Sequence, residues 1–163
     1  MSNKQVSYLS NKNFFNGLIL ILLAHGLIWL RSSYGKLYGG KFVDELGKTL
    51  AFFASKNPYP LVKDFLQNTA IPNSKLFGNL TMWGEFLSAL AIILGASYLL
   101  IKKSWDNRAA IVLISGLLGG IFLNMVFWLS AGWMSPSTES VNLIMFITQL
   151  IGVSVLIKSL SFK

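Results

Sequence analysis

Apolar residues gather into four runs along the chain, each close to the length that crosses a bilayer. They cover about residues 14–34, 80–101, 109–129 and 141–157; a hydrocarbon core takes roughly 20 residues at about 1.5 Å rise each. Lipid offers no partner to an unpaired backbone group, so helices are the expected spanning form. A short polar tail, Met1 to Asn13, precedes the first run, and no small-residue cleavage site follows it, only Arg31-Ser32-Ser33-Tyr34. Residues 1–163 are therefore expected to form a single membrane domain, an all-α membrane protein built as a four-transmembrane-helix bundle with its first span retained.

The loop between spans one and two, residues 35–79, has a pattern of its own. Val43, Leu46, Leu50 and Phe53 recur at helical spacing, with Asp44, Glu45, Lys48 and Lys56 elsewhere around the helix. Asn57-Pro58-Tyr59-Pro60 must break that helix, because proline disfavours helical backbone in the residue before it. Pro60 suits the first turn of a second helix bearing Leu61, Val62, Phe65 and Leu66, and Pro72 ends the unit. Two amphipathic helices are predicted, lying on the membrane surface or capping the bundle.

Composition sharpens this picture and removes several chemistries. Of the 163 residues 53% are apolar and only 12% charged, about half the charge of a soluble domain. The formal charge of +8 resides mostly at span ends and in the long loop, which favours anionic lipid or a small anion over nucleic acid. Cysteine is absent, so disulfides, thiolate nucleophiles and cysteine-ligated clusters are excluded within the chain. A single His25 builds neither a bis-histidine haem nor a multi-histidine metal centre, so no haem or metal is expected here.

Charge also suggests an orientation. The short loop from Lys102 to Arg108 carries three cations and the short loop from Ser130 to Ser140 none. The positive-inside rule then places the first loop and both termini in the cytoplasm and the long loop outside. The long loop holds seven cations itself, but long loops cross with weaker regard to charge. Trp29, Trp83, Trp128 and Trp133 would form an outer aromatic belt.

Candidate chemistry comes from polar residues inside the spans. Glu85 falls about 7 to 8 Å below the predicted start of span two. A central acid costs about 2.5–3.5 kcal/mol, which the surrounding Leu, Ile and Phe offset at about 0.3–0.6 kcal/mol each. It still needs a partner or a proton. Arg31 is expected at matching depth, followed by Lys36 and Lys41 nearer the surface. One reading is an outward pocket of cations around a proton-handling acid, with Glu85 and Arg31 catalytic and Arg31, Lys36 and Lys41 binding a small anion. The other is an Arg31–Glu85 ion pair that merely locks two helices. His25, about two turns deeper than Ser32 on the same face, suits either a quinone head group or an ordinary interhelical contact. Asn124, Asn142 and Gln149 are expected as interhelical hydrogen-bonding groups. Gly116 with Gly120, and Gly84 with Ser88, are expected where helices pack closely.

Together these residues resemble a known family. Leu30-Arg31 is followed by Gly35-Lys36-Leu37 and Lys41-Phe42. Then come Phe52-Phe53-Ala54-Ser55-Lys56-Asn57-Pro58-Tyr59-Pro60 and Phe65-Leu66, and last Phe77-Gly78 leading into Gly84-Glu85. This order is similar to the DoxD branch of the DoxX-like membrane proteins, over about Leu27 to Gly95; the last two spans match only as apolar helices. The resemblance implies the small membrane subunit of thiosulfate:quinone oxidoreductase, in the plasma membrane of a sulfur-oxidising prokaryote, often an archaeon. It implies oxidation of thiosulfate to tetrathionate, with quinone as the diffusible electron acceptor of a respiratory chain. A DoxA-like second subunit is the implied partner, besides lipid. On that basis quinone is expected near His25, Trp29 and Trp83. A non-catalytic accessory subunit of a terminal quinol oxidase or respiratory assembly fits the same spans, as does a small-anion or lipid transporter.

Overall fold

A computed structural model describes residues 3–102 and 105–160, with side chains from residue 12 onward. Lys103 and Ser104 of the cationic loop, the Lys4 side chain and Lys163 lie outside the described residues. Among the described residues six α-helices follow in order: α1 Asn3–Gly39, α2 Phe42–Lys56, α3 Pro60–Phe65, α4 Ser74–Lys102, α5 Asn107–Ala131 and α6 Pro136–Ser159. A π-helical turn, Leu66–Ala70, extends α3, and a 3-10 turn, Gly132–Met134, joins α5 to α6. Helices α1, α4, α5 and α6 are each long and apolar enough to cross a membrane. The chain is a multi-pass membrane protein, and no strand occurs among the described residues.

The spans are longer than their apolar runs suggest. The expected polar tail is already helical from Asn3, and α1 runs on to Gly39, 37 residues or about 55 Å. Gly40 ends it with φ of 65°, a left-handed conformation that other residues resist. Helix α4 starts at Ser74, six residues before its hydrophobic run. The C-terminal end of α1 and the N-terminal end of α4 meet α2 of the lid formed by α2 and α3.

Within the bundle, α4 lies between α1 and α5, α5 packs on α6, and a narrow contact between α6 and α1 closes the ring. The core is formed by Ile19, Leu22, Ile92, Leu113, Leu117 and Leu156, all without solvent exposure. Helices α4 and α5 touch backbone to backbone at Gly95 and Gly116. A methyl group on Gly95 would lie 2.7 Å from the Leu113 nitrogen, and one on Gly116 would lie 2.8 Å from that of Ile92. Gly84, expected to share such a contact, has ordinary space: a methyl group there would lie 3.8 Å from Leu123.

The lid caps the bundle as one of the two expected arrangements. Leu46, Leu50 and Ala54 of α2 are buried against Leu66 and Ala70, and Val43 rests on Gly78 of α4. Of the apolar residues expected on the second helix, Leu61 and Phe65 are exposed, while Leu66 and Ala70 of the π turn are buried.

The Asn-Pro-Tyr-Pro break pins the lid. Asn57 is buried; its Nδ2 donates to the carbonyls of Leu129 (3.1 Å) and Ser130 (3.2 Å), and its Oδ1 accepts from the Tyr59 N–H. Phe52 packs on Trp133 beside it, and the Trp133 indole N–H donates to the Ser130 carbonyl. Asn57→Ala removes three hydrogen bonds, two to carbonyls of α5 and one from the Tyr59 N–H. It should destabilise the lid by about 1–3 kcal/mol. Hydrogen exchange should rise across residues 42–70 while the centre of α5 keeps its protection; unchanged exchange in the lid would show that Asn57 does not hold it.

Helix starts at both ends of the bundle are capped. Asp106 accepts from the backbone N–H groups of Arg108 and Ala109 at the start of α5. Hydrogen bonding from Lys102 foremost, with the Ala109 N–H next, holds its carboxyl below the usual carboxylate range. Ser135 caps α6, with Pro136 in its first turn.

Candidate functional site

Glu85 is placed inside the bundle by α4, and its side chain has 0% exposure. Its partner comes from α1: Lys36 Nζ lies 2.7 Å from Oε1 and 2.6 Å from Oε2. The remaining ammonium hydrogen goes to Ser32 Oγ at 2.9 Å, one turn below on the same helix. The Phe42 ring of α2 stands 5.3 Å from the nitrogen, where the lid meets the bundle. Lys36 keeps 20% side-chain exposure, so the lysine is the open side of the pair and the carboxylate the closed side.

This corrects the expected partner. Arg31 makes no ion pair with Glu85; it is exposed, and its guanidinium extends along its own helix toward Gly35. Arg31 follows Trp29 by two residues, about 200° around the helix, and Trp29 faces the core. Lys41 is also exposed, just beyond the Gly40 turn. The expected cluster of three cations is thus a single lysine on the acid. The face that carries it was readable: His25, Trp29, Ser32 and Lys36 recur at three- and four-residue steps. The other ion pairs among described residues, Lys75–Asp44 at 3.4 Å and Lys102–Asp106 at 3.1 Å, lie outside the bundle core.

A second polar group lies deeper. Trp29, Asn124 and Gln149 converge around Gly120, and His25 lies one turn below Trp29 on α1. Asn124 Nδ2 donates to Gln149 Oε1 at 3.1 Å, so these two residues link α5 to α6 as expected. Asn142 does not join helices; it donates to the Thr138 carbonyl of its own helix. Among the described residues, four buried side-chain atoms are left without partners: His25 Nδ1, Trp29 Nε1, Asn124 Oδ1 and Gln149 Nε2. Buried polar atoms are rarely left so, and each carries a desolvation cost.

The three residues expected around quinone are divided by this arrangement. His25 and Trp29 are interior, and Trp29 packs on Phe127 with ring centroids 6.0 Å apart, so it is no member of an interfacial belt. Trp83 lies 48% exposed on the outward face of α4 against Phe86. Being two residues from Glu85, it points away from the interior that Glu85 occupies. Ser32, Asn124 and Gln149 join the interior polar groups instead. Among the described residues no group of three His, Asp or Glu side chains is placed to hold a metal ion.

Chemically, the bundle offers an acid and a base in direct contact near the lid, and a set of unsatisfied donors and acceptors beneath them. Among protein-family models, curated proteins and solved structures, none matches this chain.

Proposed function

We propose that the chain is the membrane subunit of a thiosulfate:quinone oxidoreductase, working with a second subunit at the extracytoplasmic face of the plasma membrane. The observation that carries this reading is the Lys36–Glu85 pair: a carboxylate with no exposure, held within a membrane-spanning helix by one lysine that opens toward the lid. Intramembrane ionisable pairs most often serve transport or proton transfer. Two thiosulfates joined through a new S–S bond give tetrathionate and release two electrons. Quinone takes those electrons with two protons to give quinol. Glu85 is the group placed to pass a proton, and Lys36 the group placed to attract the donor anion.

The quinone side is assigned to the deeper cluster. A quinone carbonyl accepts hydrogen bonds, and Trp29 Nε1 and Gln149 Nε2 are donors without acceptors. The α1–α6 seam is the narrowest contact in the ring. An apolar quinone would part the helices there, next to Leu22 and Gly152.

The test is thiosulfate-dependent reduction of a soluble quinone analogue by the purified protein in lipid, with and without its co-expressed partner. Glu85→Gln should lower turnover by at least about a hundredfold, the usual contribution of a positioned acid. Arg31→Ala should leave turnover within a few-fold, since Arg31 faces away. Tight co-purification with haem-bearing chains, and no turnover in any combination, would support an accessory role instead.

A further inference from the structure

Lys36 has three ammonium hydrogens, and all are in use: two on the oxygens of Glu85 and one on Ser32. In this state the pair is neutral and keeps no donor for an incoming anion. An anion that displaced Glu85 would leave a bare carboxylate at 0% exposure, which is prohibitively unfavourable. A proton on Glu85 removes the conflict. The acid becomes neutral, keeps an O–H to donate, and releases Lys36 toward its open side.

From this geometry we infer that the Lys36–Glu85 site loads a small oxyanion together with a proton, Lys36 holding the anion and Glu85 the proton. The inference rests on reading this site as the donor side of the proposed function, and it states how that side is filled. Net charge explains the coupling: the empty pair sums to zero, and a monoanion plus a proton leaves that sum unchanged. A dianion adds a single negative charge where it would otherwise add two.

Among the described residues no other charged side chain pairs with this site. On α1, Arg31 faces away and His25 lies about 16 Å deeper by helical rise. Lys41, just before α2, and Asp44 and Glu45 within it are exposed, and Asp44 pairs with Lys75 of α4. Helix α5 has no titratable side chain after Arg108, and α6 carries Glu139 and Lys158 only near its two ends. A proton taken up with the anion therefore has Glu85 as its place.

By linkage, anion affinity should rise as pH falls, approaching about tenfold per pH unit where Glu85 is ionised in the free protein. The test is calorimetric titration of the full chain in neutral-lipid nanodiscs, with thiosulfate and, as a redox-inert probe, sulfate. Two buffers of different ionisation heat then report protons taken up per anion bound. Wild type should take up about one. Glu85→Gln should bind with no proton uptake and no pH dependence, at least as tightly as wild type at its most acidic point. Lys36→Gln should lose affinity tenfold or more.

Zero uptake in wild type, uptake that persists in Glu85→Gln, or no anion bound by wild type overturns the inference. If turnover with quinone survives that result, the proposed function stands and only this loading step fails. Coupled uptake with no turnover in any combination overturns the function and leaves the site.

Discussion

Lys36→Met should lower the unfolding free energy by about 3–5 kcal/mol, the range for breaking a buried ion pair by removing one partner. The effect is large because of what remains. Glu85 has no exposure, and both of its oxygens accept from Lys36. Without the lysine it must either take up a proton or stay an unpaired buried charge, and both cost free energy. Glu85→Gln should cost much less. Lys36 is 20% exposed at the open side, and a long lysine side chain can turn its ammonium toward water or head groups. The double substitution Lys36→Met with Glu85→Leu should recover most of the loss, since an apolar pair of similar volume often matches or exceeds a buried ion pair. Denaturation in bicelles would measure all three. Equal losses in both single variants, or no recovery in the double, would contradict the asymmetry. The double variant also separates the two roles of the pair: it should fold well and yet have no turnover.

Gly95→Ala and Gly116→Ala should each separate α4 from α5 and cost about 1–3 kcal/mol, the range for overpacking a well-filled core. At Gly95 the added methyl would lie 2.7 Å from the Leu113 nitrogen and 2.9 Å from the Ala109 carbonyl oxygen. At Gly116 it would lie 2.8 Å from the Ile92 nitrogen and 2.9 Å from the Ala91 Cβ. These contacts include backbone atoms, so no rotamer change relieves them. The two sites share one helix interface, so their effects should not add. Gly17→Ala is the matched control: nothing lies within 4 Å of its added methyl, and alanine favours the helix by up to about 1 kcal/mol. Thermal melting in detergent would rank the three, and a Gly95→Ala variant as stable as Gly17→Ala would refute the close approach.

Hydropathy fixed the four spans because lipid leaves the backbone no alternative to helix, and the heptad-like pattern from Val43 to Phe53 gave the first lid helix. What hydropathy could not fix was rotation. Span one is apolar on every side from Phe14 to Leu30, so nothing in that run says which face meets α4. Matching Arg31 to Glu85 by depth therefore put the right charge on the wrong face. The information lay in the spacing of His25, Trp29, Ser32 and Lys36, which only becomes decisive once α1 is known to run as helix to Gly39. Asn57 escaped for another reason. Its acceptors are backbone carbonyls at residues 129 and 130, and a carbonyl has no sequence signature. The Asn-Pro-Tyr-Pro run made the break legible, but not the anchoring role of its first residue.

The Asn57 anchor sets an order on biogenesis. The acceptors it needs belong to the third membrane-crossing helix, which leaves the ribosome well after the segment that must grip them. While α5 is still being synthesised, the first two crossing helices can already pair through Lys36 and Glu85. The cap above them can already rest on α4, but its Asn57 clasp has no acceptors yet. Closure of that end is thus a late event in assembly, and a nascent chain stalled before Leu129 would hold its charge pair under an unlatched roof.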